Sequence, residues 1–587
     1  MLRKEIEEKY KWDLSSLYQS QQAFDKDYEK AQQLLDELKT YKDHICDTKE
    51  SFIQFMNIDE AFSGYIENLF VYAKMCTDVE PEDEQHQHNL AKANALMQQS
   101  SIDMTFVTLE LIAHKQVIEQ YLKDEQCKDF RYPMEELFRT IPHRLDDDRE
   151  QLLSQVHELT NIAQDTFQSL RVEFEPVMVD GKEEFLNGAT YREFLKHKDK
   201  SVRKEAFEHY FKEYKRYENV FANTLIGHTK GQVFFAKTRN YANALEASLF
   251  KDGASAELFH KVLHMANEKY RPFLHDYYAL RKSILNLDQQ HVYDTNLDLV
   301  EQVQHSYSID ESFDILYQAL AVLGEEYVSL LRRAKEERWI DFMPSKGKRT
   351  GAYSWGTYSS NPYILTNFTG SYESLSTLAH ELGHSMHSYF SHKNNRPLLA
   401  NYKIFVAEVA STVNEILLNQ YLLKTTQDKK VKASILANLL DQLIGTLYRQ
   451  PMFAQFEEQL HTWVQERKPV SSTTLTDYYL TLNKAYFGDS VIVDELQKYG
   501  CYYIPHFYYN FYVYKYTVGM SVALSFVRKI QAGDTKDYLT FLQKGGSEPC
   551  IDQLIHAGVD PCSDAVYDDA FTYFKQILEE FKQLMQS

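Results

Sequence analysis

The pentapeptide His-Glu-Leu-Gly-His at 380–384 constrains the fold and the chemistry of this chain more than any other feature. Apolar residues around it recur at three- and four-residue steps, which predicts an α-helix. On a helix, His380 and His384 lie one turn apart on the same face. Two imidazoles so placed can bind one Zn²⁺, and Glu381 beside them can act as general base on a water. The alternative is a polar helix face with two chance histidines, which would leave partly buried imidazoles without a partner.

A catalytic zinc site needs a third protein ligand and an open position for water. Glu408 is the first acidic residue after Glu381, and it lies in an apolar, helix-spaced segment, 404–418. A carboxylate that faces inward from such a segment needs a partner. We therefore predict Glu408 as the third ligand, with an ordinary surface glutamate as the alternative.

Two further polar residues lie close to these ligands in sequence. His387 is seven residues from His380, about 10 Å along a helix axis, so both cannot reach one zinc ion. We predict that His387 lines the site or contacts a ligand. Glu415 follows Glu408 by two helical turns and can accept a hydrogen bond from a ligand histidine, although a plain surface charge explains it equally well.

The zinc segments resemble peptidase family M3, the thimet oligopeptidase family, and especially its oligoendopeptidase F branch. The resemblance covers nearly the whole chain and rests on the segments 8–14 (EKYKWDL), 351–358 (GAYSWGTY), 361–365 (NPYIL), 380–387 (HELGHSMH) and 405–411 (FVAEVAS). It implies that Glu408 completes the ligand set of one Zn²⁺ per chain, because a second helix supplies the glutamate ligand at this offset.

The same resemblance implies that a later loop stabilises the tetrahedral intermediate. His506 matches the loop's histidine and Tyr514 its tyrosine, with Tyr509 and Tyr512 as alternatives because the loop is short and poor in glycine. An aromatic core helix is the other interpretation of this tract. The resemblance also implies a mainly α, two-lobed metallopeptidase whose deep channel admits short unstructured peptides.

Composition agrees with a mainly helical protein, since glycine (20) and proline (13) are scarce among 587 residues. The net charge of −21 disfavours binding to nucleic acids or to anionic membranes. Six scattered cysteines form no disulfide framework, and neither a signal peptide nor a transmembrane run is evident. We therefore expect a cytoplasmic protein.

The chain pattern suggests two regions. Helices dominate the first region, 1–195, which ends after a small hairpin predicted near 177–185 from its Asp-Gly turn. The second region, 196–587, carries the zinc motif. Within it, Tyr363-Ile364-Leu365 suggests a strand beside the zinc helix, whose edge can pair with an extended peptide. We include Gly351 and Tyr353, together with Tyr509 and Tyr512, among the substrate-binding candidates.

These observations predict a zinc oligoendopeptidase that hydrolyses internal bonds of short peptides. Two alternatives stay open. A zinc exopeptidase would carry the same motif, and blocking the peptide termini separates the two. A non-catalytic helical peptide-binding scaffold would not need the full ligand set, so stoichiometric metal argues against it.

Overall fold

The computed structural model describes residues 2–300 and 305–586, and it is mainly helical as predicted. The first helices in chain order are α1 (Gln21–Lys39), α2 (Lys49–Val79), α3 (Glu84–Asp103), α4 (Thr105–Ala113), α5 (Lys115–Tyr121), α6 (Arg131–Arg139), α7 (Asp147–Ser169), α8 (Thr190–Leu195), α9 (Lys200–Arg216), α10 (Glu218–Thr238), α11 (Ala244–Phe250), α12 (Ala256–His264) and α13 (Arg271–Ile284).

The remaining helices include the two that carry the predicted zinc ligands. They are α14 (Ile309–Ala319), α15 (Glu325–Glu336), α16 (Tyr372–Asn394), α17 (Pro397–Ala400), α18 (Ile404–Thr425), α19 (Lys429–Ile444), α20 (Gln450–Gln465), α21 (Ser472–Phe487), α22 (Tyr514–Gln531), α23 (Lys536–Gln543), α24 (Cys550–His556) and α25 (Asp564–Gln586). None of the described helices is both long enough and apolar enough to cross a membrane.

Five short strands form two small sheets. The strands are β1 (Val177–Val179), β2 (Lys182–Glu184), β3 (Ile340–Asp341), β4 (Tyr353–Trp355) and β5 (Tyr363–Leu365). Strands β1 and β2 form the antiparallel hairpin expected from the Asp-Gly turn, with Val177 opposite Glu184. The second sheet has the order β3-β5-β4, in which β3 is parallel and β4 antiparallel to β5.

The chain divides into two compact units. Unit 1 contains the described parts of segments 1–141, 304–421 and 526–559, and unit 2 those of 142–303, 422–525 and 560–587. Residue 195, where we predict a boundary between two sequence regions, lies inside unit 2. The boundary stays a prediction about the sequence. Each unit combines segments that are distant in the chain, and their order along the chain does not reveal this.

Unit 1 has an apolar core formed by its N-terminal helices. Fully buried aromatic residues such as Phe24, Phe52 and Phe55 pack within this core. The segment before α1 instead binds the second sheet: the backbone N–H of Phe342 donates to the carbonyl of Tyr10 over 3.0 Å. The start of the chain therefore stabilises the sheet that lies next to α16.

Trp12 and Arg3 extend this attachment. The buried indole of Trp12 packs on the rings of Tyr353 in β4 and Tyr363 in β5, at centroid distances of 6.5 and 6.3 Å. The Arg3 guanidinium lies 2.7 Å from the carboxylate of Asp341, which is fully buried. Burial of a charge requires such a partner, so the N-terminal segment is part of the sheet's support.

Unit 2 is organised around its own aromatic core. The ring of Tyr448 packs edge-on against Phe571 and Phe574 of α25, at 5.1 and 5.3 Å. Helices α7 and α10 approach closely because Gly227 and Gly231 present no side chain. A Cβ at Gly231 would lie 3.1 Å from the Cβ of Thr160.

Candidate metal centre

Helix α16 positions the motif residues. Its first turn is capped by Ser371, whose hydroxyl accepts the backbone N–H of Ser374. Apolar residues on one face are fully buried, which fixes the rotation of the helix. His380 and His384 then lie one turn apart, with side chains 28% and 17% exposed, accessible enough to bind a ligand.

Helix α18 brings Glu408 to the same place. The Nε2 atoms of His380 and His384 are 3.2 Å apart, and they lie 3.4 and 3.5 Å from the Oε2 atom of Glu408. Two ligands about 2 Å from one tetrahedral zinc ion are separated by about 3.3 Å. The three donors therefore fit a zinc ion, and they are the one group of three suitable side chains found among the described residues.

The electrostatics of these donors are strongly coupled. Burial acts to lower the pKa of His380, but hydrogen bonds to Glu408 and Glu415 outweigh it and raise the pKa to about 10. Burial acts to raise the pKa of Glu408, but hydrogen bonds and positive charge from the two histidines hold it well below its usual range. In both groups, contacts within the donor set therefore outweigh the effect of burial on the pKa.

The Glu381 side chain is more enclosed than those of the two motif histidines. It is 6% exposed, and burial raises its pKa although both motif histidines and the backbone N–H of Ser354 lower it. Ser354 lies in β4, and its hydroxyl is 2.8 Å from the hydroxyl of Ser385 on α16. The predicted β element thus lies beside the zinc-motif helix and contacts it at the carboxylate.

The Nδ1 atom of His380 lies 3.1 Å from the Oε1 atom of Glu415, the first of the two interpretations of this glutamate. Further hydrogen bonds fix α18 against its neighbours. Asn414 donates to the carbonyl of Ala379 over 3.0 Å and accepts from the hydroxyl of Tyr327 at 2.8 Å. These bonds fix the position of α18 along the axis of α16.

Gly383 permits the close approach of the two ligand helices. A Cβ at this position would lie 2.6 Å from both the carbonyl oxygen of Ala410 and the Cα of Ser411. Real Cβ atoms do not approach backbone so closely, so only glycine fits. Ser411 also donates to the Oε2 atom of Glu408 at 3.1 Å, which orients the carboxylate.

His387 lies outside the group of three donors. Its ring is fully buried and stacks on Tyr402 at 3.7 Å, with Phe541 5.1 Å away. Neither ring nitrogen has a hydrogen-bond partner among the described residues. Burial, together with the charges of His384 and His392, lowers its pKa to about 3, so the ring is neutral. Its predicted role near the site stays a prediction.

Two sequence-family profiles match this chain. The profile described as Peptidase family M3 matches residues 194–573, and that described as Oligopeptidase F matches residues 111–173. The first match covers more than half of the chain, including the three donors. The chain belongs to peptidase family M3.

Relatives of this M3 peptidase match it over its full length. Oligopeptidase PepF of Bacillus subtilis is 36% identical, over 99% of this chain and 88% of that protein. An oligoendopeptidase F homolog of Borreliella burgdorferi is 35% identical, over 100% of both chains.

Solved structures show the same similarity. Oligoendopeptidase-F from Enterococcus faecium aligns with a TM-score of 0.72 at 30% identity, over 96% of this chain and 99% of that one. A structure from Chlamydophila abortus aligns with a TM-score of 0.93 at 30% identity, over 99% of both chains. The helical fold of this M3 peptidase is therefore shared with known members of the family.

Two predicted substrate-binding residues lie near β4. Gly351 is exposed and has a φ of 84°, a left-handed conformation that glycine adopts without strain. The hydroxyl of Tyr353 donates to Asp78 over 3.0 Å, and burial and this carboxylate raise its pKa. The Tyr353 side chain is thus engaged within unit 1, and its predicted role in substrate binding stays a prediction.

The predicted loop residues all belong to unit 2 of this M3 peptidase. His506 and Tyr512 are partly exposed, and Tyr509 is 49% exposed. Tyr514, the first choice from the resemblance, is 1% exposed and its ring packs against Phe259 at 5.6 Å. Tyr509 and Tyr512 are therefore more accessible to solvent than Tyr514 is.

Several contributors to the site were missed in the sequence. Ser354, Ser385 and Asn414 carry no spacing signal, because their partners come from distant segments. Ser411 was missed although its partner, Glu408, is only three residues away. Gly383 did offer a signal, since a glycine inside a helix lowers stability unless close packing requires it.

Proposed function

We propose that this M3 peptidase is a zinc-dependent oligoendopeptidase that hydrolyses internal bonds of short, unstructured peptides. The observation that carries the proposal is the triangle of His380, His384 and Glu408 donor atoms, 3.2–3.5 Å apart. Its two nitrogens and one carboxylate oxygen are the ligand set of many zinc peptidases. Membership of family M3 supports peptide hydrolysis.

His380, His384 and Glu408 hold the metal in this proposal. When bound, zinc supplies a Lewis acid that lowers the pKa of a coordinated water and polarises the scissile carbonyl. Glu415 keeps the His380 ring in place through its Nδ1 atom. This contact leaves the Nε2 atom of His380 directed at the other two donors.

Glu381 acts as the general base. It accepts a proton from the attacking water and delivers it to the leaving amine. Its burial and its contact with the β4 backbone favour a carboxylate held in one orientation. Proton transfer by a positioned group contributes roughly 10²–10⁴ to a rate.

His506 and one tyrosine donate hydrogen bonds to the developing oxyanion. Tyr514 follows from the family resemblance, while exposure supports Tyr509 or Tyr512. The loss of one such donor typically costs about 10²–10³ in kcat. Phenylalanine variants at each of the three tyrosines, measured for kcat, identify the donor.

The edge of β4 is the proposed place for the peptide backbone. This strand lies at the end of the order β3-β5-β4 and contacts the motif helix. An extended peptide added to such an edge gains main-chain hydrogen bonds with little dependence on its sequence. That property suits an enzyme that degrades varied short peptides in the cytoplasm, the location we also propose.

A quenched peptide of about ten residues with both termini blocked tests the proposal, because only an endopeptidase can cleave it. A single three-ligand site also predicts one bound zinc per chain. We expect internal cleavage, loss of cleavage with a chelator, recovery with zinc, and one zinc per chain by elemental analysis. Cleavage only of unblocked peptides would support the exopeptidase instead. Absence of both zinc and cleavage after zinc addition would favour a binding scaffold.

A further inference from the structure

A buried carboxyl group contacts the segment that carries His506 and the candidate tyrosines. Glu457 lies on α20 and is 1% exposed. Its Oε1 atom accepts the backbone N–H of Phe511 over 2.6 Å. Its Oε2 atom has no hydrogen-bond partner among the described residues. The bond to the Phe511 N–H is therefore the one hydrogen bond that this buried carboxyl makes with the described residues.

The backbone at that bond is unusual. Asn510 and Phe511 have φ angles of 53° and 55°, so two successive residues occupy the left-handed region. Asparagine tolerates this conformation, but a bulky residue such as phenylalanine adopts it only when the surrounding structure enforces it. The contacts around Phe511 must therefore hold the turn.

Those contacts come from several helices of unit 2. The Phe511 ring is 1% exposed and packs against the rings of His461 and Phe259, at 4.5 and 5.7 Å. The carbonyl of Asn510 accepts the hydroxyl of Ser248 at 2.6 Å. Side-chain packing fixes the ring, whereas the Glu457 carboxyl fixes the direction of the Phe511 N–H.

The turn lies between Tyr509, which is exposed, and Tyr512, which is partly exposed. On its N-terminal side, Tyr508 is anchored by a 2.9 Å hydrogen bond to Thr224 and by stacking on Phe167 at 4.3 Å. Tyr509, the next residue, is exposed, and Tyr512 follows the turn directly. A change in the backbone at Asn510–Phe511 therefore redirects both tyrosine side chains.

We propose that Glu457 is a positioning residue that, through the Phe511 N–H, holds the left-handed turn and so orients Tyr509 and Tyr512. This inference rests on the proposed role of the loop in peptide hydrolysis. The acceptor oxygen is what matters, since the carboxyl makes no ion pair among the described residues. Burial raises the pKa of Glu457 to about 8, so the group is mostly neutral at pH 7 and glutamine is a close substitute.

Three variants test this role. Glu457→Leu removes the acceptor at similar volume, and Glu457→Gln keeps an acceptor oxygen. Glu458→Leu is the matched control, because Glu458 is the next residue on the same helix and contacts exposed His260 instead. For each variant, kcat and KM are measured with the quenched peptide, zinc content is measured, and hydrogen–deuterium exchange is followed in the peptide that spans 506–512.

We expect Glu457→Leu to lower kcat by at least about tenfold, as a small misplacement of reacting groups does, with zinc content unchanged and faster exchange at 506–512. Glu457→Gln should recover most of kcat and of the protection, and Glu458→Leu should resemble the wild type. Equal losses in the leucine and glutamine variants at 457 would overturn the acceptor role.

The exchange measurement separates the two proposals. Faster exchange in Glu457→Leu with unchanged kcat would overturn the positioning role while peptide hydrolysis stands. Unchanged exchange in that variant would overturn the structural basis of the inference. A wild-type protein that binds zinc and cleaves no peptide would overturn the proposed function, and the orientation of Tyr509 and Tyr512 would then serve no hydrolysis.

Discussion

Glu381 combines burial with a position at the metal site, since its carboxyl is enclosed and adjacent to the three donor side chains. We predict that Glu381→Gln keeps one zinc per chain, as its ligands are unchanged, but loses roughly 10²–10⁴ in kcat. Zinc analysis and initial rates on the same sample measure both effects. Glu373→Gln, at an exposed position on α16, is the control. A fully active Glu381→Gln enzyme would rule out the base role.

Glu408 and His387 provide a second contrast at the residue scale. Glu408→Ala should lose zinc readily during dialysis, because two histidines alone bind the metal weakly. His387→Ala should keep the zinc and instead lower the melting temperature, because it leaves a cavity beside Tyr402. Elemental analysis and thermal melts compare the two variants. Zinc loss confined to His387→Ala would mean that the third ligand was misassigned.

Glu457 predicts a pH dependence of stability. Its pKa is about 8 in the folded protein against an ordinary value of 4.5, so between these values only the folded state keeps the proton. The stabilisation is complete below pH 4.5 and is lost as the pH rises through 8, by up to about 1.4 kcal/mol per pH unit.

Comparison with Glu457→Gln between pH 6.5 and 8 isolates this effect, because other titrating groups such as His380 are common to both proteins. Burial lowers the pKa of His228 and of His461 to about 4. These histidines therefore destabilise the folded state only below their ordinary value of 6.5. We expect the melting temperature to fall between pH 6.5 and 8 by more in the wild type than in Glu457→Gln. Parallel curves for both proteins would contradict the raised pKa.

At the scale of elements, the metal centre depends on how closely α16 and α18 approach. Gly383→Ala places a methyl group 2.6 Å from the α18 backbone, so the helices must separate. Zinc–ligand distances fall within about 0.2 Å of fixed values, so a displaced Glu408 binds the metal less well. We therefore predict at least a tenfold loss of zinc affinity, roughly the effect of a disturbed ligand-supporting contact, measured by competition with a chelating dye.

Gly64→Ala is the matched control for that experiment. Gly64 lies inside α2 of the same unit, and its added Cβ would meet no atom within 4 Å. The variant should keep full zinc affinity and gain up to about 1 kcal/mol of helix stability. Equal zinc affinity in Gly383→Ala and Gly64→Ala would show that the helices tolerate a side chain at their crossing.

At the scale of the whole molecule, unit 1 joins segments from three parts of the chain. A fragment 196–587 contains the motif and nearly all of the M3 match at 194–573, yet it lacks Trp12, Arg3 and the N-terminal core. We predict that this fragment does not fold into a stable zinc-binding form, because the sheet beside α16 loses its support. Circular dichroism melts and zinc content test this directly.

Co-expression with residues 1–195 is the control for the fragment. If the two pieces associate, zinc binding should return, since the missing contacts are non-covalent. A fragment 196–587 that folds alone and binds one zinc would show that the region predicted from the sequence is an independent domain after all.

Local features of this protein were determined by the sequence alone. The three-four spacing around 380–384 predicts the helix that is observed as Tyr372–Asn394, and Tyr363–Leu365 is a strand as expected. These predictions succeed because helix periodicity and turn chemistry act between near neighbours. The candidate metal ligands were identified in the same way, from the spacing of residues within two short segments.

The distances that make those residues a site were decided by the tertiary structure. Glu408 meets the two histidines because Gly383 lets α18 approach, and Tyr514 is enclosed while Tyr509 is exposed because distant rings pack on one and not the other. Each of the two units likewise contains segments that are far apart in the chain. Such outcomes depend on packing between distant segments, which no local pattern in one sequence encodes.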